Sequence, residues 1–340
     1  MKHIQVTIKD IARELKISPS TVSRALKDHP DISLATKKAV RDLAEKLDYQ
    51  PNSVALSLRK SKTFTIGVII PQLVHHFFST VISGIEDVAY KEGYHVMICQ
   101  SNELYEREVL STQALLASRV DGMLASIAQE TTDTKHFQSV MKKGIPLVFF
   151  DRVVSDLDAS SVVVDDFGGA YRAVEHLVRS GCRRIAHLSG PDNLLISQSR
   201  LRGYKKALED YGISSSDSLL IKAGLSIEEG REACERLLQL DQKADAIFAA
   251  NDPVAIGALQ FLKEKGVKVP EDISVVGFSN EPITSLIDPP MTTVAQPGFE
   301  MGQLAVRLLL DEINLPDEQE VQTSRRELKT DLVVRKSTRT

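Results

Sequence analysis

Apolar residues near the amino end of the chain recur three and four positions apart. Ile8, Ile11, Ala12 and Leu15 make one such stripe, Val22, Ala25 and Leu26 a second, and Ala39, Val40, Leu43, Ala44 and Leu47 a third. That spacing is the period of helices with one buried face, and it predicts helices over about 8–15, from Pro19 onward, and over about 33–47. The residues between the stripes agree. Thr7 stands three before Asp10, as in a capping box; Ser18 and Pro19 suit an N-cap and a first helical position; Ser33 is a third N-cap. Three short helices with a four-residue link between the first two predict a helix-turn-helix.

From Phe64 the period changes. Short apolar runs at Thr65 to Ile70, His95 to Cys99, Gly122 to Ser126, Leu147 to Phe150, Ile185 to Ser189, Ala246 to Ala250 and Ser274 to Phe278 alternate with helical stretches such as 79–92, 168–181, 199–212 and 253–266. Strands alternating with helices predict parallel sheets covered on both faces. Seven or more such units exceed one compact sheet. The expected class is an all-α helix-turn-helix domain followed by an α/β body of two lobes, each a doubly wound parallel sheet, with a cleft between them.

Charge sharpens this division. Residues 1–60 hold 12 Lys and Arg against 7 Asp and Glu, whereas the remainder holds 30 against 39. A basic module on an acidic body points to a polyanion partner for the first alone. The second helix then finds a use for its outward face of Pro19, Ser20, Ser23 and Arg24, which packing would not require. A second helix of this motif lies in the major groove, where Arg24 can pair with guanine while hydroxyls and helix-start amides hold phosphates.

Other classes find less support. The start "MKHIQVTIKD" lacks a signal-peptide core and no run approaches a membrane span, so a cytoplasmic protein without a membrane partner is expected. Cys99, Cys182 and Cys234 lie far apart and read as buried free thiols. No nucleotide loop or nucleophile motif occurs, and His75-His76 reads as a pair of solvated loop histidines. No catalytic residue, metal or cofactor is expected, and the chain is not read as an enzyme.

In doubly wound sheets, ligands sit beyond the carboxyl ends of the strands. Those positions hold Gln72, Phe77 and Phe78 after the first strand, Ser101 and Asn102 after the second, and Asp151 and Arg152 after the fourth. In the second lobe they hold Asn251, Asp252, Ser279 and Asn280, with Arg200 opening a helix after "GPDNLLISQS". Aromatic faces, amides, carboxylates and guanidiniums gathered at one rim suit a small polyhydroxylated ligand. Each position has a plainer reading: Phe77 and Phe78 as core, Asn251 and Asp252 as a helix cap before Pro253, Arg200 as surface.

The stretch "VTIKDIARELKISPSTVSRALKDHPDISLATKKAVRDLAEKLDYQPNSVALSLR" resembles the LacI/GalR family of bacterial transcription regulators, as do "VDDFGGAYRAVEHLVRSGCRRIAHLSG", "RLRGYKKAL", "FAANDPVAIGAL", "VPEDISVVGFSNEP" and "PPMTTVAQP". The resemblance implies a headpiece over 1–49, a hinge helix and linker over 50–63, and a periplasmic-binding-protein-like effector and dimerisation domain over 64–340. Lobe 1 would comprise about 64–163 and 294–323, and lobe 2 about 164–291 and 324–340. The crossings would fall near Val164, Met291 to Thr293 and residue 323, with "LKTDLVVRK" a last strand of the second lobe.

It further implies a homodimeric repressor on a pseudopalindromic operator in double-stranded DNA, controlled by a sugar or sugar derivative. Thr7, Ser18, Pro19, Ser20, Thr21, Ser23 and Arg24 would meet DNA from the headpiece, and Asn52, Val54, Ala55, Leu58 and Arg59 from the hinge, with Leu58 wedged between base pairs in the minor groove. The position of Arg200 binds effector in relatives, Asp151 lies at another effector-contact position, and Phe77 and Phe78 stand where the purine repressor stacks its ligand.

Two departures matter. Leu56 stands where relatives often carry a basic residue, which puts more weight on Arg59, Lys60 and Lys62. Ser279 stands where relatives usually place an aspartate, and a hydroxyl cannot accept two hydrogen bonds as a carboxylate does. A less polar or an anionic sugar derivative is therefore admissible. The rival reading is a small-molecule binding protein of the periplasmic-receptor type with no DNA role. Leu58→Ala should weaken operator binding and reduce DNA bending in a circular-permutation gel assay; unchanged bending would remove the wedge.

Overall fold

The computed structural model describes residues 6–49, 62–316, 319 and 322–339. The hinge expectations at Asn52, Val54, Ala55, Leu56, Leu58, Arg59 and Lys60 lie outside these residues. The chain forms two compact units, Met1–Thr63 and Phe64–Thr340.

The first unit contains α1 (Ile8–Glu14), α2 (Pro19–Leu26) and α3 (Leu34–Lys46). Ile11, Ala12, Val22, Ala25, Val40 and Ala44 make its core. Lys16, Asp28 and Asp48, each just past a helix, take positive φ, the left-handed turn that ends a helix. The third stripe is rotated from its sequence reading: Ala39 is exposed, and Lys37 is buried in its place. Lys37 tolerates burial because its ammonium reaches both the Asp28 carboxylate and the Asp28 carbonyl at 3.2 Å.

The second unit holds two six-stranded sheets. The first is built from β1 (Thr65–Ile70), β2 (His95–Gln100), β3 (Gly122–Ala125), β4 (Leu147–Phe150), β5 (Ser160–Val164) and β11 (Arg325–Leu328), in the order β11-β5-β4-β3-β1-β2. The second is built from β6 (Ile185–Ser189), β7 (Leu220–Lys222), β8 (Ala246–Ala249), β9 (Ser274–Ser279), β10 (Thr292–Ala295) and β12 (Asp331–Val333), in the order β12-β10-β9-β8-β6-β7. Every pairing is parallel except that of β10 with β12.

Helices cover both faces of each sheet, so the inner strands are apolar on both sides and read as continuous runs, while the edge strands β2 and β11 are largely exposed. On the first sheet, α4 (His76–Lys91) and α11 (Gly298–Ile313) lie on one face, with Ile66, Val68, Val81, Ile85, Ala305 and Leu309 between them. On the other face lie α5 (Tyr105–Ala117) and α6 (Lys135–Lys142), over Ile69, Leu115, Phe137 and Phe149. The second sheet carries α9 (Ile227–Leu238) and α10 (Asp252–Glu264) on one face, and α7 (Asp166–Arg179) and α8 (Leu195–Asp210) on the other.

The chain changes sheet three times: after β5, after β10 and after β11. The first crossing falls at Val164, where the sequence suggested it, and the other two fall later. Val164 ends a strand of the first sheet, Thr292–Ala295 is a full strand of the second, and Arg325–Leu328 belongs to the first sheet, beside β5. The misplacement has a physical origin. Strand β11, "RREL", is a charged edge strand held by backbone pairing, so its side chains carry no signal of which sheet receives it.

Helices α4 and α11 meet at two glycines. A Cβ on Gly84 would run into the Phe299 carbonyl oxygen, and one on Gly302 into that of Val81. Backbone obstructs both, so the helices must separate to admit even a methyl group. Gly302→Ala should cost about 1–3 kcal/mol in chemical denaturation; an unchanged unfolding midpoint would contradict this packing.

Candidate functional site

In the headpiece, the Ser18 hydroxyl accepts from the Thr21 amide at 3.1 Å and lies 2.7 and 2.8 Å from the hydroxyls of Ser20 and Thr21. It caps α2 and ties Thr21 down, while Pro19, Ser20 and Arg24 are exposed and Ser23 is half-buried. At α1, the Asp10 carboxylate accepts from the Thr7 amide at 3.0 Å and from its hydroxyl at 2.6 Å. Thr7 and Asp10 thus form the reciprocal capping box that their spacing predicts. The face of α2 combines short hydroxyls, a proline-opened helix start and one free-reaching guanidinium.

In the body, the strand ends of the two lobes enclose a cavity of about 50 Å³. Its lining includes Phe77, Phe78, Asp151, Arg152, Arg200, Asn251 and Ser279, seven of the positions expected from sequence. Arg200, 3 % exposed, is fixed by four features of the second lobe. Its Nε and Nη2 donate to Asp166 at 2.8 and 2.7 Å, Nη1 donates to the Ala250 carbonyl at 2.5 Å, and the guanidinium lies 3.8 Å from the centre of the Phe278 ring. Burial pushes the Asp166 carboxyl up to about 6 against the pull of that guanidinium.

Across the cleft, Arg152 donates to Glu103 at 2.7 Å and sits 5.7 Å from the Phe78 ring centre. Asp151, with φ 57°, receives the Gln296 amide at 3.5 Å, and burial raises its carboxyl above the ordinary range. Phe77 and Phe78 meet edge to face at 5.3 Å and are both buried, because the first turn of α4 faces the cleft and the core together. The core and the ligand-lining readings of this pair therefore both hold.

Other candidates stand apart. Gln72 is half-buried, Ser101 is fully buried with its hydroxyl 3.4 Å from the Ile70 carbonyl, and neither lines the cavity. Asn280 accepts from Arg335 at 2.8 Å and is turned from the cleft. Asn251 caps α10 through Val254 at 2.9 Å while still lining the cavity, so both of its readings hold. Asp252 lies beneath the lining, fully buried; it accepts from the Thr293 hydroxyl at 2.6 Å and from the Glu281 amide at 2.7 Å. Burial pushes its carboxyl up to about 7.

Sequence reasoning missed His75, Ile196, Leu225, Pro253, Glu281 and Gln296, all of which line the cavity. His75 is no solvated loop residue: burial lowers its pKa. Gln296 follows β10 and would have been found had "TTVA" been read as a strand. Glu281 belongs to the second lobe, yet its carboxylate accepts from the His76 and Phe77 amides of the first, at 3.1 and 3.4 Å. Asn193 of the second lobe likewise donates to the Gln129 and Thr131 carbonyls of the first, at 2.8 and 3.3 Å. Among the described residues no group of three or more His, Cys, Asp or Glu could hold a metal ion, and no helix is long and apolar enough to cross a membrane.

A short hydroxyl-rich reading helix and a two-lobed ligand cleft on one chain define a class, the ligand-responsive DNA-binding regulators. The comparisons give the family. Residues 7–52 match bacterial regulatory proteins of the lacI family, and residues 174–338 match the periplasmic binding protein-like domain. The transcriptional repressor CytR of Escherichia coli K12 is 34% identical over 333 residues, covering 98% of this chain and 96% of the relative. The lac repressor dimer bound to operator and the anti-inducer ONPF superposes with a TM-score of 0.84 at 29% identity, over 99% of this chain and 100% of that one. A regulator from Enterococcus faecium with bound ribose gives 0.71 at 32% identity, over 81% and 98%. This chain belongs to the lacI family of bacterial transcription regulators, whose members repress transcription and are not enzymes.

Asp252 makes a pH-dependent contribution to stability. The folded chain keeps a proton that the unfolded chain releases near the ordinary 3.8, so the contribution is full below about pH 4 and is lost as pH rises through about 7. Asp252→Asn should be less stable than wild type at pH 5, and the gap should narrow by pH 8, by roughly 1 kcal/mol or more. A gap that stays the same at the two pH values, measured by urea denaturation, would show the residue ionised throughout.

Proposed function

We propose that the protein is a homodimeric, cytoplasmic repressor whose affinity for a pseudopalindromic operator is set by a sugar or sugar derivative bound between its lobes. The observation that carries the ligand half is the buried Arg200–Asp166 pair facing Phe77, Phe78 and Asp151 across one cleft. Aromatic faces stack on a sugar ring while fixed charged groups read its hydroxyls. The ribose named with the Enterococcus faecium regulator is a ligand of that chemistry.

A cavity of about 50 Å³ is smaller than the pockets that bury such molecules, and we infer that the lobes part on ligand entry. The interlobe angle would govern the spacing of the two hinge segments, residues 50–63, and so whether they order on DNA. A coupling of ~1–3 kcal/mol, typical of such systems, corresponds to ~5- to 150-fold in operator affinity. Dimerisation is supported by apolar residues left exposed on the first lobe around the edge strand β2, namely Tyr90, Met97, Ile98 and Leu110, and on the second lobe by Ile283 and Leu286.

Two substitutions separate the halves. Arg24→Ala should relax sequence preference by about 1–3 kcal/mol at its base pair in competition binding. Arg200→Ala should abolish the effector response while effector-free operator binding persists. Loss of both properties together in the Arg200 variant would tell against a separate sensing site.

A further inference from the structure

Helix α4 opens onto the cleft, and its own N-cap residue, His75, makes no side-chain cap. Unpaired amides at the positive end of a 16-residue helix are a natural seat for an anion. In this chain the seat is occupied from the opposite lobe: the Glu281 carboxylate accepts from His76 and Phe77 at 3.1 and 3.4 Å. The Glu281 backbone is itself anchored, its amide donating 2.7 Å to buried Asp252. The protein supplies its own anion at that point.

A second feature marks where ligand atoms belong. Arg152, 7 % exposed, lines the cleft, and its Nε is buried without a hydrogen-bond partner. A buried donor left unmade is costly, so it points to an oxygen that arrives with a ligand. The surroundings decide which kind of oxygen. Arg152 is already paired with Glu103 at 2.7 Å and Arg200 with Asp166 at 2.7 Å. Asp151 and Glu281 add two more carboxylates to the lining, and the nearby His75 ring is held toward neutrality by burial. Acceptors are in excess, and the charge of each cleft guanidinium is already balanced by a carboxylate, so the open Arg152 Nε can serve a neutral oxygen. An additional buried anion would be repelled at short range.

We propose that Glu281 is a specificity-determining residue: by filling the anion seat at the start of α4, it restricts the cleft to uncharged, hydroxyl-rich effectors and excludes sugar phosphates and sugar acids. This rests on the reading of the cleft as the effector site. It also resolves what Ser279 left open, since the negative charge lost at that position is supplied two residues on by Glu281, and an anionic derivative is disfavoured.

The test uses the full-length protein at fixed ionic strength, as wild type, Glu281→Gln and Glu281→Ala. The probes are D-ribose, D-ribose 5-phosphate and inorganic phosphate, and the readouts are thermal stabilisation and titration calorimetry. Wild type should favour ribose over its phosphate ester by at least about tenfold, one charge-assisted contact's worth. In both variants that ratio should fall by a similar factor, and inorganic phosphate should stabilise the Ala variant but not wild type. Equal or tighter binding of the ester by wild type overturns the proposal, as does a ratio unmoved by both substitutions. Should neither sugar bind any of the proteins, the sugar reading of the cleft fails, and the phosphate arm still decides Glu281: stabilisation of the Ala variant alone supports the filled seat, and equal responses overturn it.

Discussion

A guanidinium sealed from water must be neutralised where it stands, because a buried unpaired charge is among the most destabilising groups a fold can hold. The second lobe is organised around that requirement at Arg200. Asp166 from the first turn of α7 pairs with it, the carbonyl of Ala250 beyond β8 accepts from it, and Phe278 of β9 underlies it. Three elements thus converge on one side chain of α8. The helix cannot slide without unpairing Asp166, so the cleft wall on this side is rigid. Rigidity is what a sensing site needs if ligand contacts are to become lobe movement rather than local rearrangement.

The opposite requirement holds between the lobes. They are joined by three chain crossings, by the apolar contact of Leu194, Ile196 and Leu225 with residues such as Ile127 and Val153, and by a few polar bridges from Glu281 and Asn193. The polar bridges end on backbone amides and carbonyls, which stay in place whether or not the bridge is made. Opening would break these bridges without disturbing either sheet, at the cost of parting the apolar contact of Leu194, Ile196 and Leu225. A ligand that binds one lobe arrangement more tightly then shifts the population by its differential affinity and no more.

Much of this was legible in the sequence where the physics is local. Ser18, Pro19 and Ser33 announced their helices because capping depends on neighbours in the chain. The positions of Phe77, Asp151, Arg200 and Asn251 followed from the rule that ligands meet strand carboxyl ends. Illegible features were those set by distant pairing. Lys37 replaces Ala39 in the headpiece core only because Asp28, nine residues away, turns to meet it. Strand β11 carries no apolar code for its sheet, and Glu281 reaches α4 across more than 200 residues of chain. Ser101 and Gln72 show the reverse error, since standing after a strand does not by itself turn a side chain toward the cleft.

The central claim is that cleft and headpiece share one equilibrium. Linkage makes that claim measurable without reference to any structural intermediate: if effector changes operator affinity by some factor, operator must change effector affinity by the same factor. The direct measurement is calorimetric titration of one effector into the free dimer and into the operator-saturated dimer, alongside operator titrations with and without that effector. The account predicts two unequal effector affinities whose ratio equals the ratio of operator affinities. Identical effector affinities in the two titrations would contradict it.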